Sequence, residues 1–228
     1  MTKKLKRRDV DLDTITLTVG AHEPDGQFCV MELSAYIAGE KWSDRPKCVS
    51  AVIASFLRSW NDGLDNKTRQ LLKPYALTAI GTNTGAADDE TRTWMATDWL
   101  ARVHTPVWLR LAGLTKEAEA LEQLARIVDA ETAKSAQPAL DRARAASSAA
   151  RYAASAVASA AARDAARDAA SAAASAAAWD VAWDATRSAA WDAARSATRS
   201  ALAPTALALR ASAFHLLDAM IAVGRTAA

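Results

Sequence analysis

Ala145–Ser200 reads AASS AARY AASA VASA AARD AARD AASA AASA AAWD VAWD ATRS AAWD AARS ATRS, fourteen tandem tetrads of which ten open on Ala-Ala. A repeat at a fixed short period constrains architecture before any local signal does. Ala is the strongest helix former, and neither Gly nor Pro interrupts 139–203. The tract therefore predicts helix. A square β-solenoid with one tetrad per side is opposed by the poor β propensity of Ala.

A four-residue period does not match an α-helix. At ~100° per residue, each tetrad overshoots a turn by ~40°, so the Ala-Ala stripe drifts around the helix. One straight helix over the tract would be ~100 Å long, more than a domain of this mass holds. Breaks into helices of ~20 residues, at Ser171–Ser175 and at Ala185-Thr186, resolve this better than a right-handed supercoil. Paired Ala then lets neighbouring backbones approach closely. The third tetrad position forms an i, i+4 ladder of Trp179, Trp183, Arg187, Trp191, Arg195 and Arg199. Arg stacked on Trp gains ~0.5–1 kcal/mol when exposed. Asp164–Arg167, Asp184–Arg187 and Asp192–Arg195 are i, i+3 ion pairs, worth tenths of a kcal/mol each. The expected use of this ladder is docking on the N-terminal half. Binding of single-stranded nucleic acid by stacking is the alternative, weakened by the Asp beside each Trp.

Outward from the tract, the formal charge of +2 conceals segregation. Lys3, Lys4, Lys6, Arg7 and Arg8 make a basic tail, 9–138 is net acidic, and 139–228 is net basic. The last Lys is Lys134 and the last Glu is Glu131, which places a compositional boundary near Gln137-Pro138. The expected organisation is a basic tail at 1–9, an N-terminal helical domain at 10–136, Ala-rich tetrad helices at 139–203 and a closing C-terminal helix at 204–228. The fold class is all-α, with at most one short N-terminal β-strand.

The candidate is Thr14–Val19, where Thr alternates with apolar residues and no partner strand is evident, so it reads as a lone extended segment or an edge strand. Helical spacing begins after Gln27, with Phe28, Met31, Ala35 and Ala38 on one face and Gly39 as terminator. Asp44 is the expected N-cap of the next helix, which ends at Asn61-Asp62-Gly63, and Asp65 caps a third. Pro74 and Pro106 are expected to kink or interrupt helices. Thr115 starts a fifth helix through Val128, and Pro204 suits the first turn of the last one.

Cys29 and Cys48, two thiols in 228 residues, do not form a secreted disulfide framework. Asp9, Asp11 and Asp13 follow the basic tail where a signal peptide needs an apolar core. Charges recurring through the Ala tract exclude a membrane span there. These features predict a soluble cytoplasmic protein. His22, Cys29, Glu32 and Asp44 gather acid- and metal-capable groups and form a candidate pocket. The spacing is wrong for zinc, and a Cys29 pairing with His22 or His104 needs contacts that the sequence does not dictate. Glu32, Glu40, Asp44 and the Trp42-Ser43-Asp44 turn could line a pocket, but Trp42 reads first as a core anchor. His104 and His215 stand isolated. No catalytic, cofactor-binding or metal motif is present.

The words GAHEPDGQFCVMELSAYIAGEKWSD, VIASFLRSWNDGL and RTWMATDWLARVHTPVWLRLAGL, between Gly20 and Leu114, carry a resemblance. The chain resembles a group of uncharacterised proteins from actinobacteria and their bacteriophages, and its Ala-rich tract looks like the repeats of putative immunity-type proteins. The resemblance implies a bacterial or phage cytoplasmic protein and no particular activity. The leading functional expectation is a non-enzymatic helical interaction module that binds a bacterial protein partner. Nucleic-acid binding through the tail and the ladder is the alternative. An enzyme or small-ligand binder centred on His22–Asp44 is the second. Self-association through Ala-rich faces is a further expectation.

Overall fold

The computed structural model describes residues 7–24, 26–150 and 202–225. These form an all-α chain: α1 Val30–Ile37, α2 Ala51–Gly63, α3 Asn66–Arg69, α4 Lys73–Thr78, α5 Ala86–Trp99, α6 Thr105–Leu111 and α7 Thr115–Glu122, then α8 over 130–150 and α9 Leu202–Ala222. The ladder residues Trp179, Trp183, Arg187, Trp191, Arg195 and Arg199, the breaks expected at 171–175 and 185–186, and the tail before Arg7 lie outside the described residues.

The chain divides into two compact units, Met1–Thr97 with Phe214–Ala228, and Asp98–Ala213. The compositional boundary does not interrupt the backbone, because α8 runs straight through Gln137-Pro138. Asp129 starts this helix by accepting the Thr132 amide at 2.8 Å.

In the first unit α1 is the central element. Val30, Met31, Glu32, Leu33, Ser34, Ala35 and Ile37 are all buried, so the single apolar face expected from spacing becomes burial on nearly every side. Two polar residues tolerate this because their bonds are met locally. Ser34 Oγ donates to the Val30 carbonyl at 3.1 Å, and Glu32 is described below. Ile53 and Leu57 of α2, Leu72, Ala76 of α4, and Leu217 and Met220 of α9 are also core residues of this unit. Fully burying the Ile, Leu and Met side chains among these stabilises by ~1.5–3 kcal/mol each. Phe214 joins them, 4.6 Å from the Trp60 ring and 5.4 Å from Tyr75 in a stacked pair. The Tyr75 hydroxyl donates to Asp218 Oδ1 at 3.0 Å. Among the described residues α9 is the one helix long and apolar enough to cross a membrane, by length and composition.

Of the two readings of Thr14–Val19, the structure shows the lone extended segment and no edge strand; two other local expectations, at Asp44 and Pro106, are corrected. Leu17 makes one parallel bridge to Phe28, while the side-chain amide of Gln70 takes the rest: its Oε1 accepts the Leu17 N–H at 2.9 Å and its Nε2 donates to the Leu17 carbonyl at 3.0 Å. A glutamine thus stands where a neighbouring strand would. Asp44 does not cap α2. Ser50 does, through the Ile53 amide, and Asp44 pairs with Arg58 at 3.6 Å. Pro106 does not break its helix, since a π-turn at Leu100–His104 precedes it. The Thr105 amide reaches back to the Leu100 carbonyl. The wider turn accommodates a residue that has no N–H and whose ring collides with a normal helical carbonyl. Asp65 caps α3 as its sequence indicates, accepting the Lys67 and Thr68 amides at 3.0 Å each.

In the second unit Leu109, Ala118 and Leu121 pack with Ala139 and Ala143 of α8, flanked by Leu114, Leu124 and Leu140. The i, i+4 pair of alanines lies at the entrance to the tetrad tract, where small side chains leave room for α6 and α7. Asp98 pairs with Arg102 at 3.1 Å and accepts the Ile127 amide at 2.8 Å, which fixes the segment after α7.

His104 lies half-buried between two indoles, 5.1 Å from Trp99 and 6.2 Å from Trp108. Trp108 Nε1 donates to its Nε2 at 3.2 Å. An indole N–H only donates, so this bond requires a neutral ring with the proton on Nδ1. Burial holds the His104 pKa below the ordinary imidazole range. The unfolded chain then binds more protons between the depressed folded value and the unfolded value of about 6.5. Stability is expected to fall as pH drops below that value. His104→Phe should remove this component, read as the difference between wild-type and variant urea midpoints at pH 7 and pH 5.

Candidate functional site

The sequence candidates His22, Cys29, Glu32 and Asp44 divide three to one. The first three converge at the start of α1. Cys29 is its N-cap: the sulfur accepts the Glu32 amide at 3.4 Å, and Glu32 Oε2 accepts the Cys29 amide at 2.8 Å. This is a reciprocal capping box, with Cys where Ser or Thr is usual. The same carboxylate reaches the preceding loop. Its Oε1 accepts the His22 amide at 2.6 Å and its Oε2 meets His22 Nδ1 at 2.9 Å. Its side chain is 1% exposed. The far side of the imidazole, Nε2, lies 3.0 Å from Thr18 Oγ1.

Neighbouring bonds extend this latch. Trp42 Nε1 donates to the His22 carbonyl at 2.6 Å. Buried Asn61 of α2 donates to the Thr18 carbonyl at 2.9 Å and accepts the Val30 amide at 3.3 Å. The loop before α1 is thereby tied to α1, to α2 and to Trp42. Asp44 stays out of this cluster with Arg58.

Burial pushes the Cys29 thiol up to about 12, and the Glu32 carboxylate adds to the rise. Burial, then Glu40, raises Cys48 to about 12 as well. Both thiols are free and buried. A thiolate is the nucleophilic form, so the native chain is expected to resist iodoacetamide at pH 8 at both positions. It should be labelled at both after denaturation, as counted by intact mass. Rapid native labelling of Cys29 would contradict the capped geometry. Among the described residues, no group of three or more His, Cys, Asp or Glu side chains is arranged to hold a metal ion.

Beside the latch is a concavity of which the sequence suggested only two lining residues, Glu40 and Trp42. Phe28, Tyr36 and Trp42 surround its volume of about 420 Å³, completed by Arg8, Pro24, Gly26 and Glu40. Phe28 is 5.5 Å from Tyr36 edge-to-face and 5.0 Å from Trp42. Phe28 is buried, while Tyr36, Trp42 and Glu40 are half-buried. Arg8 lies on this cup with its guanidinium carbon 4.4 Å from the Tyr36 ring centre. Its Nη1 donates to the Tyr36 carbonyl at 3.2 Å, and its backbone amide donates to the Ile37 carbonyl at 2.8 Å. The available signal was three aromatics within fifteen residues flanking one short helix. Trp42 read as core because its hydrogen bond to His22 is not encoded by spacing.

A second, smaller concavity of about 340 Å³ is lined by Arg45, Lys47 and Arg58 with Asp89 and the start of α2. Compared with known protein families, with characterised proteins and with solved structures, the chain matches none of them significantly.

Proposed function

We propose that the chain is a non-enzymatic helical interaction module, encoded by a phage or prophage as the sequence resemblance implies, that binds a bacterial protein partner. The observation that carries this reading is the use of the chemically capable groups around α1. Cys29 caps a helix, Glu32 accepts from two loop amides and meets His22 Nδ1, and His22 is bound through both ring nitrogens and its own backbone. Groups held this way shape a surface rather than turn over a substrate. What they shape is the half-open aromatic cup, and aromatic residues are enriched where proteins meet partners.

The reading is tested with the full chain as bait in bacterial lysate, followed by reconstitution with the purified candidate. A complex of fixed stoichiometry by size-exclusion chromatography with light scattering is expected. Failure to recover any partner that reconstitutes counts against it.

A further inference from the structure

We infer that the cup of Phe28, Tyr36 and Trp42, with Glu40, is a site for an organic cation, a guanidinium or N-alkylated ammonium group, and that Arg8 is its resident competitor. This deepens the interaction reading and rests on it for the source of the cation, which is a group carried by the partner.

Aromatic faces carry negative potential, and a cation within about 6 Å of a ring centre is attracted to it. Here three rings converge, and Glu40 adds a carboxylate to the same lining. The rings are already fixed: Phe28 is buried in the core, Trp42 is held by the His22 carbonyl, and Tyr36 belongs to α1. A cation that enters does not have to order them, which favours affinity.

Arg8 supplies the second, independent observation. The chain places its own guanidinium 4.4 Å from the Tyr36 centre, so the cup already accepts the chemistry proposed for the partner. Arg8 itself is exposed and lies in a segment with neither helix nor strand. Its hold consists of two hydrogen bonds to the end of α1 and one ring contact. An incoming cation can displace such a contact and competes with it, because two cations on one ring repel. The concavity left beside Arg8, about 420 Å³, falls within the usual range for small-ligand sites.

The test titrates the full chain with choline, with methylguanidinium and with 3,3-dimethylbutan-1-ol, the uncharged carbon analogue of choline, using saturation-transfer NMR. Both cations, or one of them, are expected to bind at least about fivefold more tightly than the uncharged analogue. Preference for choline assigns an alkylammonium, and preference for methylguanidinium assigns an arginine-like group. Arg8→Gln is expected to tighten cation binding about threefold to tenfold. Tyr36→Leu keeps apolar bulk but removes the ring, and should weaken cation binding about fivefold or more. Should Tyr36→Leu fail to fold, Glu40→Gln takes its place, with weaker cation binding and an unchanged response to the uncharged analogue. Equal binding of charged and uncharged probes, or no cation binding by either wild type or Arg8→Gln, overturns the site. Unchanged affinity in Arg8→Gln overturns the competitor role. Loss of the cup with a partner complex still intact would leave the interaction reading standing. Cation binding with no reconstitutable partner would remove that reading alone.

Discussion

Arg92→Ala is expected to lower the stability of the chain by about 3–5 kcal/mol, the usual cost of removing one partner of a buried charged network. Arg92 of α5 is completely buried. Its Nη1 pairs with Asp89 Oδ1 at 2.9 Å, its Nε donates to the Met220 carbonyl at 3.0 Å, and its Nη2 donates to the Val223 carbonyl at 2.8 Å. The last two acceptors are carbonyls at the end of α9, which have no helical N–H to meet. One guanidinium therefore caps the C-terminal helix and neutralises Asp89 together. Burial works against ionisation of Asp89, but the Ser50 hydroxyl and Arg92 outweigh it and hold its carboxyl below the ordinary range. That contribution is present above the unfolded carboxylate pKa and is lost as pH falls through the lower folded value.

Gly224 shows how tightly this corner is built. At φ +71° it adopts the left-handed conformation, and an added Cβ would fall 2.1 Å from Asp88 Oδ2. Urea denaturation measures the Arg92 effect. Arg92→Lys keeps the charge but loses the fork that reaches Asp89 and two carbonyls, and it should recover only part of the loss. A midpoint within experimental error of wild type for Arg92→Ala would show that α9 does not depend on this cap.

The second large effect is expected at Glu32. Glu32→Ala strands the His22 and Cys29 amides and the imidazole Nδ1 together. Buried groups left without partners cost ~1–3 kcal/mol each, but they relax in concert, so a total of about 3–4 kcal/mol is expected. Glu32→Gln keeps the volume but presents an amide NH2 to donors, and should lose about 2 kcal/mol. Cys29→Ser, by contrast, installs a preferred N-cap residue in a position already used as a cap, and should change stability by less than about 1 kcal/mol. Thermal and urea denaturation of the three variants read this order. A Cys29→Ser variant that collapses while Glu32→Gln is unaffected would reverse the roles assigned to thiol and carboxylate.

The helices were legible in this sequence wherever a local device marks them. Asp65 accepts two amides at the start of α3, and Gly39 follows α1 with φ +70°. What was not legible depends on bonds between residues far apart in the chain. The extended segment at Leu17 was legible, but its partner, the side chain of Gln70 fifty-three positions away, was not. Ser50 displaced Asp44 as a cap because its hydroxyl also serves Asp89 of α5. Arg92 carries no sequence mark of its burial, since its acceptors are backbone carbonyls more than a hundred residues later. The candidate cluster was half legible: His22, Cys29 and Glu32 are near in sequence and meet, but their proximity is explained by a cap. The aromatic cup stayed mostly hidden for a similar reason. Phe, Tyr and Trp beside a helix signal core, and only the orientation imposed on Trp42 by His22 leaves them partly open.

The acid and imidazole at the start of α1 form a structural latch. Amide hydrogen exchange, resolved by NMR at His22 and Cys29, tests it most directly. Both amides are expected to be strongly protected in the wild-type chain, and Glu32→Gln should raise their exchange at least about tenfold, while amides inside α8 change little. Exchange at His22 and Cys29 near the unprotected rate in the wild type, or protection indifferent to Glu32→Gln, would contradict the account.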